Sequence, residues 1–540
     1  MEKVNVAGQE INEGTAHMYY DTKETVFYNK VQVLNRDLSI QVIKLFSEKR
    51  LEERRKFYEQ KLAKYNQYNA SGNNTVAPAR EPKSSISILD ALAASGLRSI
   101  RYLKEIPLAS HVTINDISEA ATKLAEENCM RNHVDMNRVR INLQDATSLM
   151  YQSREPQSQF DVIDLDPYGS AANFLDSAVQ AVSDGGLLCV TCTDMTVLSG
   201  RYPEVCFSKY NSMPVRGKYV HEMSLRVLLH AIDTAANKYK RHIVPWLSLS
   251  VDFYVRVFVR VYESAAEVKN SCLRRCMLFQ SEDSPTYFIQ PLAQNSLNGN
   301  YAAARIQPSF QTEDISKYRI GGPFWQAPIH DQTVVDELLA RVRSFAESGN
   351  ELEKQLFPIP TVQRMTGILT VISEELKDVP FYYSLPELAS AVKCGVPQLQ
   401  EFAAALQNLG YRLSQFHHEP SAVKTDAPNE VIWDIMRTYH KLHPPQLSKS
   451  GLSEVAKSIL EKPISVEVNF TADNLKRPNK SVPRFPPNPE AFWGPKRRAG
   501  RKTDRDDAKL EEKVVTEQEI PSKEAEEGTR RSEKRARLKK

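Results

Sequence analysis

Between residues 85 and 194 the chain alternates short apolar, β-type runs with segments whose apolar positions recur every three or four residues. The runs are SISILDAL (85–92), HVTINDIS (111–118), VRINLQDA (139–146), FDVIDLDP (160–167) and GGLLCVTCTD (185–194). SEAATKLAEENCMRNH and SAANFLDSAVQAVSDG carry the helical spacing between them. Strands alternating with helices predict a parallel sheet covered by helices on both faces. WLSLSVDFYVRVFVRVYES, strictly alternating over VRVFVRV, predicts one long strand or a hairpin closing that sheet, so residues 1–265 form one α/β domain. Upstream, KLFSEKRLEERRKFYEQKLAKYNQ predicts a charged helix, and the polar, Gly- and Pro-containing stretch after it predicts a disordered insertion at about 66–85. Residues 266–357 form a linking segment. FPIPTVQRMTGILTVISEEL opens a second region, 358–477, whose helix, helix and short strand predict an α+β, winged-helix-like module. From 478 to 540, Pro-rich sequence and a mixed-charge tail predict disorder.

At 540 residues, 41% hydrophobic and 26% charged, the composition is that of a soluble globular chain of two or three domains. No apolar run reaches the length needed to span a membrane, and the first residues, MEKVNVAGQEINEG, lack the pattern of a signal or transit peptide. The seven cysteines sit mostly in apolar segments, which predicts reduced thiols in an intracellular compartment; Cys189 and Cys192, although spaced as CxxC, read as buried strand residues. Charge is unevenly placed. Residues 496–540 hold 16 Lys/Arg against 11 Asp/Glu, so of the net +4 the first 495 residues carry −1. Nucleic-acid binding by the folded part therefore requires local basic patches.

Ligands of an open parallel sheet bind beyond the carboxyl ends of its strands. On that edge the strands present Asp90, Asp116, Asp145 and the pair Asp164/Asp166 in succession. DALAASGLRSIRYL supplies a turn of small residues opening a helix, without the GxGxxG fingerprint. Asp116 can accept hydrogen bonds from a ribose diol. Asp145 can accept from an adenine amino group, and Ala146 leaves room for the ring. This suits an adenosine-containing cofactor with no pyrophosphate, namely S-adenosylmethionine; a nicotinamide dinucleotide dehydrogenase fails on the missing glycines. Each aspartate taken alone is equally a helix N-cap.

IDLDPYGS (163–170) adds the reactive chemistry. The lone pair of a nucleobase exocyclic amine is delocalised into the ring. Asp166 can accept one N–H and then the proton, the Pro167 carbonyl can accept the other N–H, and Tyr168 offers a stacking face. An isolated DPYG, by contrast, is a β-turn.

These residues resemble the tRNA (guanine-N2)-dimethyltransferases that modify guanine 26, a class I, SAM-dependent tRNA methyltransferase family. The resemblance covers most of residues 20–440 and includes KETVFYNKVQVLNRDLS, LDALAASGLRSIRY, NDIS, VIDLDPYGS, VTCTDMTVLSG, LSLSVDFYVRVFV, GGPFWQAPIH, SAVKTDAP and WGPK. It implies a Rossmann-like fold with a mainly parallel seven-stranded sheet and a C-terminal α+β domain, S-adenosylmethionine as donor, and one or two methyl transfers to guanine N2 of a tRNA substrate. Carried over by motif, Arg36, Arg98, Asp116, Asp145 and Ala146 bind the donor; Asp166, with Pro167, is the acceptor; Phe27 and Tyr168 sandwich the guanine. It also implies that the 358–477 module grips the tRNA body. Many relatives place two CxxC pairs before the QPL and GGP elements as a zinc site. Here those places read SEDSPTYFIQPL and TEDISKYRIGGP, so no metal is expected and packing alone should hold this segment. KYKRH (238–242) is a candidate phosphate patch, and the basic clusters at 496–498 and 530–540 suit a nuclear localisation signal or an RNA arm. A monomer in the nucleus, with the mitochondrion as second destination, is the expectation. The competing reading is a non-catalytic tRNA-binding or chaperone protein retaining the fold.

Overall fold

The computed structural model describes residues 8–21, 28–70, 81–296, 298–306, 317–348, 350–444, 452–471 and 483–489. All lie in one compact unit, Met1–Lys496. Phe27 and the basic clusters beyond residue 490 fall outside the described residues.

A hairpin, β1 (Gly8–Glu13) and β2 (Ala16–Asp21), precedes the 38-residue helix α1 (Val33–Ala70). This helix begins eleven residues before the charged stretch that predicts it. Leu34, Leu38, Val42, Leu45 and Phe46 repeat at helical spacing and are buried, so the first half is a core helix and only the second half is the exposed, charged one. It also continues to Ala70, into the stretch read as an insertion; residues 71–80 lie outside the described residues.

Then follow β3 (Ile86–Asp90), α2 (Leu97–Glu105), β4 (Ala109–Asp116), α3 (Glu119–Arg131), β5 (Val139–Leu143), α4 (Ala146–Gln152), β6 (Phe160–Leu165), α5 (Ala172–Ala181), β7 (Val182–Cys192), the short helices α6 (Met195–Leu198) and α7 (Pro203–Tyr210), α8 (Val220–Asn237), β8 (Arg241–Val251) and β9 (Tyr254–Glu263). They form one sheet in the order β5-β4-β3-β6-β7-β9-β8. The first five strands are parallel; β9 is antiparallel to both its neighbours, so the 246–264 stretch is a hairpin. Helices α1, α2 and α3 cover one face and α4, α5 and α8 the other, and the two apolar layers hold most of the core. This is a Rossmann-like, doubly wound sheet with a C-terminal extension.

After α9 (Ala265–Lys269), strands β10 (Arg275–Ser281) and β11 (Tyr287–Pro291), the hairpin β12 (Ala293–Asn295) and β13 (Tyr301–Ala303), and β14 (Tyr318–Trp325) build the linking segment, with β10 central between β11 and β14. Packing alone does not hold it. Arg226 on α8 donates to the carbonyls of Trp325 at 2.7 Å and Ala327 at 3.2 Å, and Arg275 pairs with Asp233 at 2.5 Å, both side chains buried.

Helices α10 (Gln332–Glu347) and α11 (Glu351–Leu356) lead to α12 (Val362–Glu374), β15 (Tyr383–Ser384), α13 (Leu385–Ala391), α14 (Leu399–Asn408), β16 (Leu413–Phe416) and β17 (Glu419–Thr425), followed by α15 (Asn429–Leu442) and α16 (Glu454–Glu461). In chain order these are a helix, a strand, two helices and a hairpin, with sheet order β15-β17-β16.

Candidate active site

The parallel strands β5, β4, β3, β6 and β7 end on one edge, and the register pairs Asp90 with Asp164 there. Beyond it opens a cavity of about 200 Å³ whose lining includes Arg36, Asp90, Arg98, Asp166, Pro167 and Tyr168, with Tyr28 and Phe253 as further aromatic walls.

Its floor is the turn from Asp90 to Leu97. Ala94 has φ 48°, and its N–H donates to Asp116 Oδ2 at 2.9 Å. Gly96 has φ 78°, and a Cβ there would meet Ala125 Cβ at 2.9 Å, so glycine lets α2 start hard against α3. Ala93, Ala94 and Ser95 line the cavity with small side chains.

IDLDPYGS leaves β6 as a bend rather than a closed turn. The Gly169 N–H donates to Thr193 Oγ1 at 2.8 Å, and the Thr193 N–H returns to the Gly169 carbonyl at 2.8 Å. Gly169, at φ 86°, makes the geometry accessible. The bend is thus tied to the end of β7, and Tyr168 is left 55% exposed at the mouth.

Beneath the bend lies a buried charge cluster. Asp164 accepts from Arg256 Nη1 at 2.8 Å and Nη2 at 2.9 Å, and also from the Tyr102 hydroxyl. Arg98 donates to Asp166, approaches Asp164 at 3.4 Å and reaches Ser39 Oγ at 3.2 Å. Burial alone would raise the Asp164 carboxyl, but Arg256 and Arg98 outweigh it and bring the pKa down to about 2. Asp90 is pushed the other way, up to about 7, by burial and by the neighbouring Asp164 charge.

The residues chosen for the donor divide into two groups. Arg36 and Arg98 line the cavity, but carboxylates already engage both. Arg36 grips Glu13 through Nε at 2.6 Å and Nη2 at 2.5 Å, and Glu13, also bound by Arg101, is held near a pKa of about 2 although burial opposes it. Asp116, Asp145 and Ala146 stand on the same edge beyond the cavity lining. Asp116 receives the N–H groups of Ala94 and Ser118; Asp145 caps α4 through the Ser148 N–H at 2.8 Å, and Ala146 is buried as its first residue. The capping role and the rim position coexist.

Among the described residues, one group of three possible metal ligands lies together: His330, Glu375 and His417. The Ser248 N–H donates to His330 Nδ1 at 3.2 Å and the Ser250 N–H to His417 Nε2 at 2.9 Å, so the nitrogens facing Glu375 carry the protons. A metal-bound imidazole donates its outer N–H instead. The set is therefore a buried carboxylate facing two imidazole N–H groups, His417 Nδ1 bonding it at 2.7 Å and His330 Nε2 standing 3.6 Å away; burial would raise Glu375, but His417, His330 and Lys424 outweigh it and keep the carboxyl ionised.

Residues 2–437 match the family of N2,N2-dimethylguanosine tRNA methyltransferases. The chain belongs to that family. It is 40% identical over 518 residues to the tRNA (guanine(26)-N(2))-dimethyltransferase of Mus musculus, covering 91% of this chain and 76% of that one. It is likewise 40% identical over 539 residues to tRNA (guanine(26)-N(2))-dimethyltransferase 2 of Arabidopsis thaliana, covering 91% and 88%. Trm1 from Pyrococcus horikoshii, solved in complex with S-adenosyl-L-methionine, superposes with a TM-score of 0.61 at 26% identity, over 78% of this chain and 98% of that one.

Sequence reasoning missed Arg256, Tyr102, Glu13 and Phe253. Arg256 and Arg260 lie in the alternating VRVFVRV of β9, an interior strand covered on both faces, and both arginines are buried. Two charges inside an otherwise apolar interior strand were the available signal, since each needs a buried partner.

Proposed function

We propose that this chain transfers one or two methyl groups from S-adenosylmethionine to the exocyclic N2 of guanine 26 in tRNA, with Asp166 as proton acceptor. The observation carrying this reading is Asp166 fixed at the end of β6 by Arg98, beside an exposed aromatic, at the mouth of the strand-edge cavity.

The small-residue turn fits a donor without phosphates: it offers close approach over Ala93, Ala94 and Ser95, where a pyrophosphate would want more glycine. Bound there, S-adenosylmethionine supplies an electrophilic methyl. The carboxylates of Asp90 and Asp116 favour its positive charge, with Asp116 and Asp145 available to the ribose and adenine. Arg36 stays among the donor-binding residues as part of the wall with Glu13. Arg98 instead positions the acceptor.

Tyr168 stacks the flipped guanine, Phe27 being its counterpart by family resemblance. Asp166 accepts an N2 hydrogen, concentrating the nitrogen lone pair toward the methyl, and takes the proton as the bond forms; the Pro167 carbonyl accepts the second hydrogen. The 358–477 module and the basic tail serve the tRNA, and the tail directs the chain to the nucleus.

Transfer of labelled methyl to undermodified tRNA tests the reading. Asp166→Ala should lower kcat by about a hundredfold or more and retain donor binding, while Asp116→Ala should weaken donor binding. Intact transfer by Asp166→Ala would remove Asp166 from the mechanism.

A further inference from the structure

A helix-turn-helix pair such as α13–α14 is expected to present its second helix to nucleic acid. Here that helix, α14, reads LQEFAAALQN, without a Lys or Arg. Ala403 and Ala404 are buried, and at the last residue of the helix Asn408 Nδ2 donates to the carbonyls of Asn469 at 2.9 Å and Thr471 at 3.2 Å, so residues 469–471 meet its end. A polyanion finds no positive charge along it, and its middle, Phe402 to Leu406, is buried.

The contrary surface lies beside the catalytic bend. RYPEVCFSKYNSMPVRGK, residues 201–218, holds Arg201, Lys209, Arg216 and Lys218 against Glu204 alone, within a folded part whose net charge is slightly negative. Interleaved with these cations are large side chains left in solvent: Tyr202 is 45% exposed, Phe207 49% and Met213 37%, and Ile320 on β14 is 52% exposed beside them. Pro203, Met213, Arg216, Arg319 and Ile320 wall a hollow of about 490 Å³, and the Arg201 guanidinium lies 5.9 Å over the Tyr202 ring.

This surface is continuous with the active site. The Tyr210 hydroxyl at the end of α7 bonds Ser170 Oγ at 2.6 Å and Asp194 at 3.0 Å, and Asp194 follows Thr193, which holds Gly169. Helix α7 is thereby fastened to the bend that carries Tyr168. Exposed aromatics interleaved with cations are what single-stranded nucleic acid requires, base faces stacking while phosphates meet the charges.

Resting on the reading of the site above, we propose that the α6–α7 face with Arg216 and Ile320 is the docking surface for the tRNA strand flanking the target guanine, with Tyr202 and Phe207 stacking unpaired bases and Arg201, Arg216 and Lys218 meeting phosphates.

The test uses the full chain, undermodified tRNA and labelled S-adenosylmethionine. Phe207→Ala and Tyr202→Ala should each raise the KM for tRNA about five- to a hundredfold, with donor affinity unchanged. Phe207→Tyr should restore most of the loss. Arg216→Glu with Lys218→Glu should raise KM and flatten the salt dependence of tRNA binding by about two counter-ions. An unchanged KM and salt slope in folded variants would overturn the proposal, as would variants that alter only self-association in sedimentation, which would make the face a protein interface. If the unaltered chain methylates no tRNA, the reading of the site fails; if it does and these variants are neutral, only this inference fails.

Discussion

Arg256 holds Asp164 in a two-pronged pair, Nη1 to Oδ1 at 2.8 Å and Nη2 to Oδ2 at 2.9 Å, with neither side chain reached by solvent. The pair joins β9 to β6 across β7, and Thr191 on β7 accepts from the same Nη1 at 2.8 Å. Removing one partner leaves the other charge stranded in a low dielectric. Arg256→Met should therefore cost about 3–5 kcal/mol in guanidinium unfolding, whereas the double variant with Asp164→Leu should recover part of it. A loss below about 1 kcal/mol in Arg256→Met would mean that Tyr102 and Arg98 alone suffice for Asp164.

Arg98 discriminates two roles. If it positions Asp166, Arg98→Lys keeps the charge, loses the simultaneous reach to Asp164, Asp166 and Ser39, and lowers kcat about ten- to a hundredfold with donor affinity little altered. If it meets the donor's carboxylate, as its motif implies, donor affinity should fall by about tenfold or more and kcat should hold. Calorimetric donor binding beside single-turnover transfer separates the outcomes, and the first is expected.

The parallel sheet, its winding and the acidic rim were legible because β-type runs ending in aspartate recur at regular intervals, and each strand carries its own register information. Less legible were features fixed by distant segments. Glu13 meets Arg36 and Arg101 only because the N-terminal hairpin folds against α2, and no local pattern around Glu13 announces two guanidinium partners. The start of α1 at Val33 was hidden because its buried first half, rich in apolar residues, lacks the charge that marked its second half. DPYG alone has the composition of a β-turn, and nothing local in it announces the bend; the Thr193 hydroxyl that takes the Gly169 N–H comes from just past the end of β7.

Asp90 gives the site a pH dependence. Burial first, and then Asp164, push its pKa up to about 7, with Arg98 and the Ser99 hydroxyl opposing. Because this folded-state value lies above the unfolded one, near 4, the stability Asp90 contributes is complete below pH 4 and is lost as pH climbs through 7, at up to about 1.4 kcal/mol per pH unit. Asp90→Asn, which mimics the protonated form, should flatten the unfolding free energy between pH 4 and 7 relative to the unaltered chain. Affinity for the cationic donor should rise as pH passes through 7 and lose that rise in Asp90→Asn. Parallel pH profiles for the two proteins would contradict both expectations.

An ion pair links the 358–477 module to the turn beside the cavity. Arg364 on α12 bonds Asp252 at 2.7 Å, both side chains largely buried, and Asp252 is the left-handed residue, φ 51°, of the turn joining β8 to β9. The next residue, Phe253, lines the cavity. Aspartate tolerates that backbone better than most residues, so Asp252→Asn should keep the turn and remove the charge. Arg364→Ala and Asp252→Asn should then each lower kcat/KM by about tenfold, and the double variant should lose no more than either alone, the signature of one shared interaction. Losses that multiply in the double variant would show that the two residues act separately and that Phe253 is held in place without the module.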